Sequence, residues 1–354
     1  MSTTLRWGIL GTGNIARQFA GAFGSARRGV LAAVGSRESS SARTFAHTHR
    51  VPAHFGSYEQ VLQAKDVEAV YISLPNSMHH EWTIRALEAG KHVLCEKPIA
   101  SNAAQAQEMF DVARRTGRVL MEAFMYRSHP LTHAVLNAIR GGAVGQIRLI
   151  RTSFCYRTNR IAGNIRFDPA LAGGVLMDVG CYCIDFSRLI AGAEPSRIVG
   201  VGRMHASGVD EIAAAMLEFP GDITATFSCG MSVQADNTAQ ICGTEGFIEI
   251  PVPWKPRVHN ATWTLAHSTP PKMDLAAKAT APPPRQTFTV SADRELYALE
   301  ADDFAQSVLD AMPIRVSEQD TLGNMRVLDE LRKQIHRGES PQMNTDKAAS
   351  NFNM

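Results

Sequence analysis

Short apolar runs alternate with amphipathic segments through the first 124 residues. The runs have the length and composition of buried strands, and they cover residues 5–10, 30–35, 69–73, 93–95 and 118–124. Between them apolar residues recur every three or four positions, as on one face of a helix, for example Ile15, Phe19 and Phe23 after the first run. Strands that alternate with helices are typical of a parallel sheet, so we predict an α/β domain over residues 1–124.

The pattern changes in the second half, where strand-like runs follow one another through tight turns. Residues 213–219 and 223–229 are separated by Pro-Gly-Asp, and residues 240–242 and 246–250 flank a second turn. Successive hairpins indicate an antiparallel sheet. A further strand at 146–154 and helices at 175–191, 295–311 and 319–336 complete the pattern. We therefore predict an α+β domain with a large, mainly antiparallel open sheet over residues 125–337.

Two segments show neither the periodicity of a helix nor that of a strand. Residues 268–284 contain five prolines and are predicted to form a loop, and residues 338–354 are polar and aperiodic and are predicted to form a flexible tail.

Composition narrows the class of protein. The chain has 354 residues, 45% of them apolar and 20% charged, which suits a globular protein of about two domains. A net charge of +2 without a basic stripe argues against nucleic acid as a partner. No apolar run is long enough to span a membrane, and the first residues do not resemble a signal peptide, so we expect a cytoplasmic protein. The six cysteines form no CxxC pair and are expected to be reduced packing residues.

The first strand is followed by the sequence GTGNIA at residues 11–16. Gly11 permits a tight turn, Gly13 lets a pyrophosphate approach the backbone, and Asn14 and Ile15 begin a helix whose amino terminus attracts phosphate. This strand, turn and helix predict a Rossmann dinucleotide-binding domain.

The end of the second strand distinguishes the two nicotinamide dinucleotides. NAD requires a carboxylate there for the ribose 2′-hydroxyl, whereas NADP requires a cation and small polar groups for the 2′-phosphate. The chain has Ser36 and Arg37, which favours NADP(H) over NAD(H). Glu38 is the acidic alternative if the strand runs two residues further.

Two later strands end in polar residues that are expected to wall the cofactor crevice. After residues 69–73 come Leu74, Asn76 and His79, with Asn76 or Ser77 predicted to cap the next helix. After residues 93–95 come Glu96 and Lys97, followed by a proline that ends the strand. A surface ion pair is the alternative interpretation of the last two. The adjacent histidines 79 and 80 lack the spacing of metal ligands, and no metal site is predicted.

Taken together, several motifs resemble the Gfo/Idh/MocA oxidoreductase family. They are GTGNIA at 11–16, Ser-Arg at 36–37, Glu-Lys-Pro at 96–98, MEAFMYR at 121–127, Gly-Gly at 173–174, and Asp178-x-Gly-x-Tyr182. The resemblance runs from about residue 5 to residue 336. The tyrosine, where inositol dehydrogenase has histidine, is most similar to the branch of dimeric dihydrodiol dehydrogenase and NADP-linked D-xylose dehydrogenase.

The resemblance implies hydride transfer between nicotinamide C4 and a hydroxyl or carbonyl carbon of a sugar, such as xylose or glucose, or of a related polyol. Lys97 is expected to donate to the reacting oxygen and to lower the pKa of a catalytic phenol, Tyr182. Asp178 lies four residues before it, on the same helical face, and is expected to bind substrate. A core aromatic and a helix cap are the structural alternatives for these two residues. Arg127, Arg157 and Arg166 lie near the expected domain junction, where one or more of them are expected to bind substrate hydroxyls or the cofactor phosphate. Arg127 and Arg166 are the candidates for substrate binding.

Other roles follow less directly. His129 is expected to cap a helix that begins at Pro130, and His133 to be structural. In the family the outer face of the second sheet makes the oligomer contact, which implies a homodimer or homotetramer.

Two other functions remain open at this stage. One is a non-catalytic NADP-binding sensor or regulator on the same fold, since fold does not imply function. The other is a sugar–sugar oxidoreductase that holds its NADP tightly. The presence of both Lys97 and Tyr182 favours an enzyme, because a sensor has no use for a proton-transfer pair.

Overall fold

The computed structural model describes residues 3–267 and 283–337. The tail predicted at 338–354 and nearly all of the loop predicted at 268–284 lie outside these residues. The first domain is built on six parallel strands in the order β3-β2-β1-β4-β5-β6. They are β1 (Leu5–Leu10), β2 (Gly29–Gly35), β3 (Ala53–Phe55), β4 (Ala69–Ile72), β5 (His92–Glu96) and β6 (Leu120–Ala123). This is the doubly wound Rossmann order, so the α/β prediction is confirmed.

Helices follow each of the first five strands. They are α1 (Asn14–Ala22), α2 (Ser39–His49), α3 (Tyr58–Gln63), α4 (Asn76–Glu88) and α5 (Ala103–Thr116). β1, β4 and β5 are almost fully buried, because helices cover both faces of the sheet. The three-residue β3 and the one-and-a-half-turn α3 were not predicted, since neither is long enough to show a period.

The second domain contains an eight-stranded sheet in the order β14-β13-β12-β11-β7-β10-β9-β8. Its strands are β7 (Ile147–Cys155), β8 (Arg197–Met204), β9 (Asp210–Phe219), β10 (Ile223–Gly230), β11 (Ala239–Gly243), β12 (Gly246–Ile250), β13 (Ala261–His267) and β14 (Gln286–Val290). All neighbours are antiparallel except β7 and β10. The mainly antiparallel sheet and both hairpins are therefore confirmed.

Helices cover one face of this sheet. The second domain contributes α6 (Pro130–Arg140), a π-helical turn (Leu176–Gly180) that continues into α7 (Cys181–Ala191), and α9 (Glu318–Arg337). Gly200 and Gly202 of β8 face α9, where an added Cβ would lie 2.4 Å from Leu331 and 2.8 Å from Ile335. The glycines allow the helix to approach the strand, and within residues 3–267 and 283–337 no helix packs on the opposite face of the sheet.

One late helix returns to the first domain. In α8 (Leu296–Leu309), the Asp302 carboxylate accepts hydrogen bonds from the backbone N–H groups of Arg27 and Arg28. Phe304 packs on Trp7 of β1, with ring centroids 5.2 Å apart. The helix was predicted within the second domain because sequence order alone cannot show that it packs on β1.

Two predictions about apolar segments can be compared with the packing. Among the described residues, the stretch Pro169–Ala191 is long and apolar enough to cross a membrane, but 78% of its apolar window is buried inside the protein, as in a core helix. The six cysteines are free and five are buried, which confirms their role in packing.

Candidate active site

A cleft of about 340 Å³ opens at the carboxyl ends of β1, β4 and β5, between the two domains. The first domain contributes six of the predicted cofactor-binding residues to its wall: Ile15, Leu74, Asn76, His79, Glu96 and Lys97. In open parallel sheets this edge is where dinucleotides bind. The second domain contributes Tyr156, Arg166, Asp178, Tyr182, Lys255 and Tyr297 among others.

The glycine turn has the shape expected of a phosphate site. Gly11 has φ +105°, and an added Cβ would lie 3.1 Å from the Ser73 carbonyl oxygen. Gly13 precedes α1, and an added Cβ there would meet no protein atom within 4 Å. The first turn of α1 has neither an acidic residue nor a side-chain cap, so its N–H groups face open space and can receive an anion.

The turn after β4 is arranged differently from the prediction. Pro75 occupies the cap position of α4, and the Asn76 amide instead donates to the Ala172 carbonyl oxygen at 2.9 Å. The predicted side-chain cap is therefore wrong, because Asn76 joins the two domains. His79 is buried, and its ring nitrogens lie 2.8 Å from the Pro98 and Leu74 carbonyl oxygens. It holds the turns after β4 and β5 together.

The turn after β2 begins at Ser36. β2 ends at Gly35, so Glu38 lies three residues beyond the strand, where it precedes α2 and accepts a hydrogen bond from Ser41 Oγ. Ser36 is buried and its Oγ accepts from the Glu38 N–H. Arg37 is exposed, and its charge opposes the rise that burial causes in the pKa of Tyr58.

Lys97 reaches across the cleft to the second domain. Its Nζ donates to the Asp178 backbone oxygen at 2.6 Å and lies 3.7 Å from the Asp178 carboxylate. The same ammonium group lies 5.0 Å from the centroid of the Tyr182 ring. The structure thus brings Lys97 together with Asp178 and Tyr182, which lie 81 or more positions further along the chain. It also excludes the alternative of a surface ion pair between Glu96 and Lys97.

Asp178 is the centre of a charged network. Its Oδ2 accepts hydrogen bonds from the Tyr156 hydroxyl at 2.5 Å and from Arg166 Nε at 2.8 Å. Burial by itself would raise the pKa of Asp178, but Lys97, Arg166 and the hydrogen bond from Tyr156 outweigh it and lower the pKa. Asp178 lies in the π-helical turn, a feature frequent at functional sites, rather than at a helix cap.

Tyr182 lies deep in the cleft within an aromatic cluster. Its ring contacts Phe124, Phe154 and Trp254, with centroids 5.3 to 6.0 Å away. Its hydroxyl lies 3.4 Å from Met125 Sδ, a weak acceptor. Burial and the charge of Glu96 raise the pKa of Tyr182 well above its ordinary value. The net shift is therefore opposite to the lowering that we expected from Lys97, because desolvation of the phenolate dominates.

Arg127 does not line the cleft, and its predicted substrate role is wrong. Its side chain is 8% exposed and pairs with Asp185, which is 1% exposed, at 3.0 Å. It also reaches Asp320 at 3.4 Å. Arg127 follows β6 and turns into the protein interior, which the sequence motif did not indicate. His129 caps α6 as predicted, because its Nδ1 accepts from the Leu131 N–H at 3.0 Å.

Sequence reasoning missed a buried acidic cluster behind the cleft. Tyr71 donates a short hydrogen bond to Glu96, and burial raises the pKa of that carboxyl group. Glu300 is buried and its pKa is raised by burial and by Glu96. The buried hydroxyl of Tyr297 has no hydrogen-bond partner in the described part of the chain. Tyr297 and Glu300 lie on α8, so only the return of that helix to the first domain brings them here.

Comparison with known proteins agrees with this geometry. Residues 5–124 match the oxidoreductase family with an NAD-binding Rossmann fold, and residues 132–249 match the GFO/IDH/MocA C-terminal domain. The chain is 37% identical over 256 residues to trans-1,2-dihydrobenzene-1,2-diol dehydrogenase of Homo sapiens. The aligned region covers 71% of this chain and 76% of that protein.

Solved structures extend the similarity over nearly the whole chain. A 3-ketoreductase from Actinomadura kijaniata, solved with NADP and TDP-benzene, superposes with a TM-score of 0.83 and 29% identity over 93% of this chain and 97% of that one. An aldose-aldose oxidoreductase from Caulobacter crescentus has a TM-score of 0.83 and 26% identity over 95% and 98% of the two chains. The chain therefore belongs to the Gfo/Idh/MocA family of oxidoreductases.

Proposed function

We propose that the protein is an NADP-dependent dehydrogenase or reductase that acts on a CH–OH group of an aldopyranose, such as xylose or glucose, or of a related polyol. The observation that carries this proposal is the meeting of Lys97, Asp178 and Tyr182 in one cleft beside an open glycine turn. NADP, when bound, supplies or accepts the hydride at nicotinamide C4. The protein has to orient the sugar, move one proton and exclude water.

Tyr182 is the proton-transfer group in this proposal. A phenol with a raised pKa keeps its proton at neutral pH, so it is suited to donate that proton to the oxygen of a carbonyl substrate during reduction. The hydroxyl has only the Met125 sulfur as a partner among the described residues, so a substrate oxygen can replace a weak contact. Oxidation of an alcohol uses the same groups in reverse.

Lys97 stabilises charge on the reacting oxygen. It has a flexible stem and three donors, of which one is engaged by the Asp178 backbone oxygen. The remaining donors can turn to a substrate oxygen beside Tyr182. A positioned cation in a cleft with little water stabilises the alkoxide that develops during hydride transfer.

Asp178 and Arg166 are the proposed substrate-binding residues. Both line the cleft, and the guanidinium and carboxylate are already hydrogen-bonded to each other. Arg166 has a side chain that is 45% exposed, so donors remain for sugar hydroxyls, and Asp178 can accept through its second oxygen. Neighbouring donors and acceptors of this kind suit adjacent hydroxyl groups of a pyranose.

Preference for NADP(H) rests on the turn after β2. Gly11, Gly13, Asn14 and Ile15 would hold the pyrophosphate of either cofactor, so the choice depends on Ser36 and Arg37 at the ribose. A groove of about 370 Å³ beside Thr12 is lined by Arg17, Ser40, Ser41 and other side chains of α1 and α2, none of them a carboxylate among the described residues. Cations and hydroxyls suit a 2′-phosphate better than a 2′-hydroxyl.

The alternative of a tightly held cofactor has one observation in its favour, the similarity to an aldose-aldose oxidoreductase. In this alternative the protein keeps its NADP bound while one sugar is oxidised and another is reduced. Gel filtration followed by nucleotide analysis distinguishes the two functions. Retained nucleotide supports the alternative, and nucleotide-free protein that turns over added NADP(H) supports a dehydrogenase.

The proposed assembly is a homodimer or homotetramer of a cytoplasmic protein. Gly200 and Gly202 of β8 face α9, so Val199 and Val201 point to the opposite face of the sheet, where Val201 is 47% exposed. Next to them on β9, Met216 pairs with Val199 and is half-buried. An exposed apolar patch on a sheet face that no helix of the described residues covers is suited to burial in a two-fold interface.

A substrate screen tests the proposed function. Aldoses, polyols and ketosugars are each incubated with NADP(H) and with NAD(H), and the absorbance of the reduced nicotinamide is followed. We expect turnover with at least one sugar or polyol, faster with NADP(H). Binding of NADP(H) without turnover of any member would instead support the sensor hypothesis.

A further inference from the structure

Lys255 is a cation in the cleft that neither the fold nor the proposed chemistry explains. It lies between β12 and β13 of the second domain, and its side chain lines the same cleft as Lys97 and Ile15. Within residues 3–267 and 283–337 no carboxylate forms an ion pair with it, although Glu96 and Asp178 lie in the same cleft. Its Nζ contacts Gln18 Oε1 at 3.4 Å.

That contact places the ammonium group beside α1, in a cleft that Ile15 of the first turn also lines. Side chains on a helix point back toward its amino terminus, so Gln18, one turn after Asn14, extends toward the glycine turn. The first N–H groups of α1 have no acidic or capping side chain to satisfy them. Lys255 therefore approaches from the second domain the place where the first domain is built to receive phosphate.

The local chain holds Lys255 in place. Pro253 and Pro256 flank the Trp254–Lys255 pair, and prolines restrict the backbone. Trp254 is 3% exposed, its Nε1 donates to the Ser153 carbonyl oxygen at 2.9 Å, and its ring stacks on Phe154 with centroids 5.6 Å apart. A buried and stacked tryptophan thus fixes the position of an exposed lysine beside it.

Lys255 lies near other cations of the cleft. Partial loss of water and the charge of Lys97 lower the pKa of Lys255, and the charges of Glu96 and Asp178 oppose that shift. A doubly charged diphosphate between Lys255 and α1 would accept hydrogen bonds from the ammonium group on one side and from the N–H groups of the helix on the other.

We propose that Lys255 binds the diphosphate of the nicotinamide cofactor from the second domain, so that the two domains hold the cofactor between them. The inference rests on the proposed function, because it requires NADP(H) as the ligand. The chemistry recognised is a phosphate anion, and an anionic group on the substrate is the other possible source of one.

The test uses Lys255→Met, which removes the charge and keeps the length of the side chain. Dissociation constants of NADPH and of 2′-phospho-ADP-ribose are measured by fluorescence quenching and calorimetry at low and high salt. Because a charge-assisted hydrogen bond is lost, we expect both constants to rise about ten- to a hundredfold at low salt and less at high salt. Adenosine 2′-monophosphate, which lacks the diphosphate, should bind both proteins equally.

Two variants complete the design. Lys255→Arg should restore most of the affinity, and Lys65→Met removes an exposed lysine before β4, at the opposite edge of the sheet, with the same change in net charge. Unchanged NADPH affinity in Lys255→Met would overturn the inference, and so would a defect confined to the KM of a phosphorylated or carboxylated sugar. Wild-type protein that binds neither NADPH nor NADH would instead overturn the proposed function.

Discussion

Replacing Arg127 with methionine should destabilise the protein and leave substrate binding nearly unchanged. Arg127 pairs with Asp185 at 3.0 Å, and both side chains are at least nine-tenths buried. Removing one partner of a buried ion pair leaves the other charge uncompensated and costs about 3–5 kcal/mol. With an unfolding entropy of about 2.1 cal/mol/K per residue over 354 residues, that loss lowers the Tm by about 4–7 °C.

Thermal unfolding of wild type, Arg127→Met and Arg166→Met measures this effect. Arg166 is the matched control, because it also pairs with a carboxylate but lies in the cleft with a side chain that is 45% exposed. Arg166→Met should keep its Tm within a few degrees and raise the KM for the sugar. Adding Asp185→Asn to Arg127→Met should recover part of the lost stability, because the buried charge is then removed. An unchanged Tm with a raised KM in Arg127→Met would refute this reasoning.

Three further predictions concern the cofactor, the pH dependence of folding and the assembly. Arg37→Ala should weaken NADPH binding about tenfold or more and leave NADH binding nearly unchanged, since only the 2′-phosphate is affected; calorimetric titration of both cofactors measures the difference. Burial and the charge of Asp185 raise the pKa of Glu122 from 4.5 to about 8. A carboxyl group whose pKa is higher in the folded state than in the unfolded state binds its proton more tightly when the protein is folded. Its contribution to stability is complete below the pKa of the unfolded state and is lost as the pH rises to the pKa of the folded state. The free energy of unfolding should therefore fall between about pH 4.5 and pH 8, and Glu122→Gln should flatten this dependence in denaturant titrations; a slope that the variant retains would assign the effect to another group. Light scattering should give two or four times the monomer mass of 38.6 kDa, and a mass equal to that of the monomer would count against assembly through the sheet.

Local sequence patterns predicted those elements of the fold whose structure depends only on residues that are close together in the chain. The glycine turn, the strand that ends at Glu96, and the hairpin around Gly221 each depend on neighbours a few residues away, and each was predicted. β13 and β14 were not predicted, because the segment between them is long and breaks the pattern of short hairpins. The parallel pairing of β7 with β10 is likewise invisible to a local pattern.

In the candidate site, too, the motif residues could be predicted from the sequence, whereas contacts with residues far away in the chain could not. Lys97, Asp178 and Tyr182 were identified from motifs, and the structure brings them together. The environment of each group was not predictable. Tyr182 has a raised pKa because aromatic residues from three separate segments exclude water from it. Arg127 was misassigned because its partner Asp185 lies 58 residues away.

Other residues of the cleft belong to no recognised motif, because only the folding of the chain brings them to the site. Tyr156 follows the last strand residue of β7, and its partner Asp178 lies in a π-helical turn that the period of an α-helix cannot predict. Lys255 and Tyr297 reach the cleft only through the packing of two domains. A tyrosine or lysine alone in sequence is usually an ordinary surface or core residue, and only its place in the fold distinguishes it.

The central claim is that Lys97 and Tyr182 act on one proton at the reacting oxygen. The most direct test is the rate of hydride transfer in a single turnover, measured for Lys97→Met, Tyr182→Phe and the double variant with NADPH bound at saturation. We predict that each single change lowers the rate by about 10²- to 10⁴-fold and that the double variant is little slower than the slower single one. Fully additive effects, or an unchanged rate in Tyr182→Phe, would contradict the account and make Tyr182 a core aromatic residue.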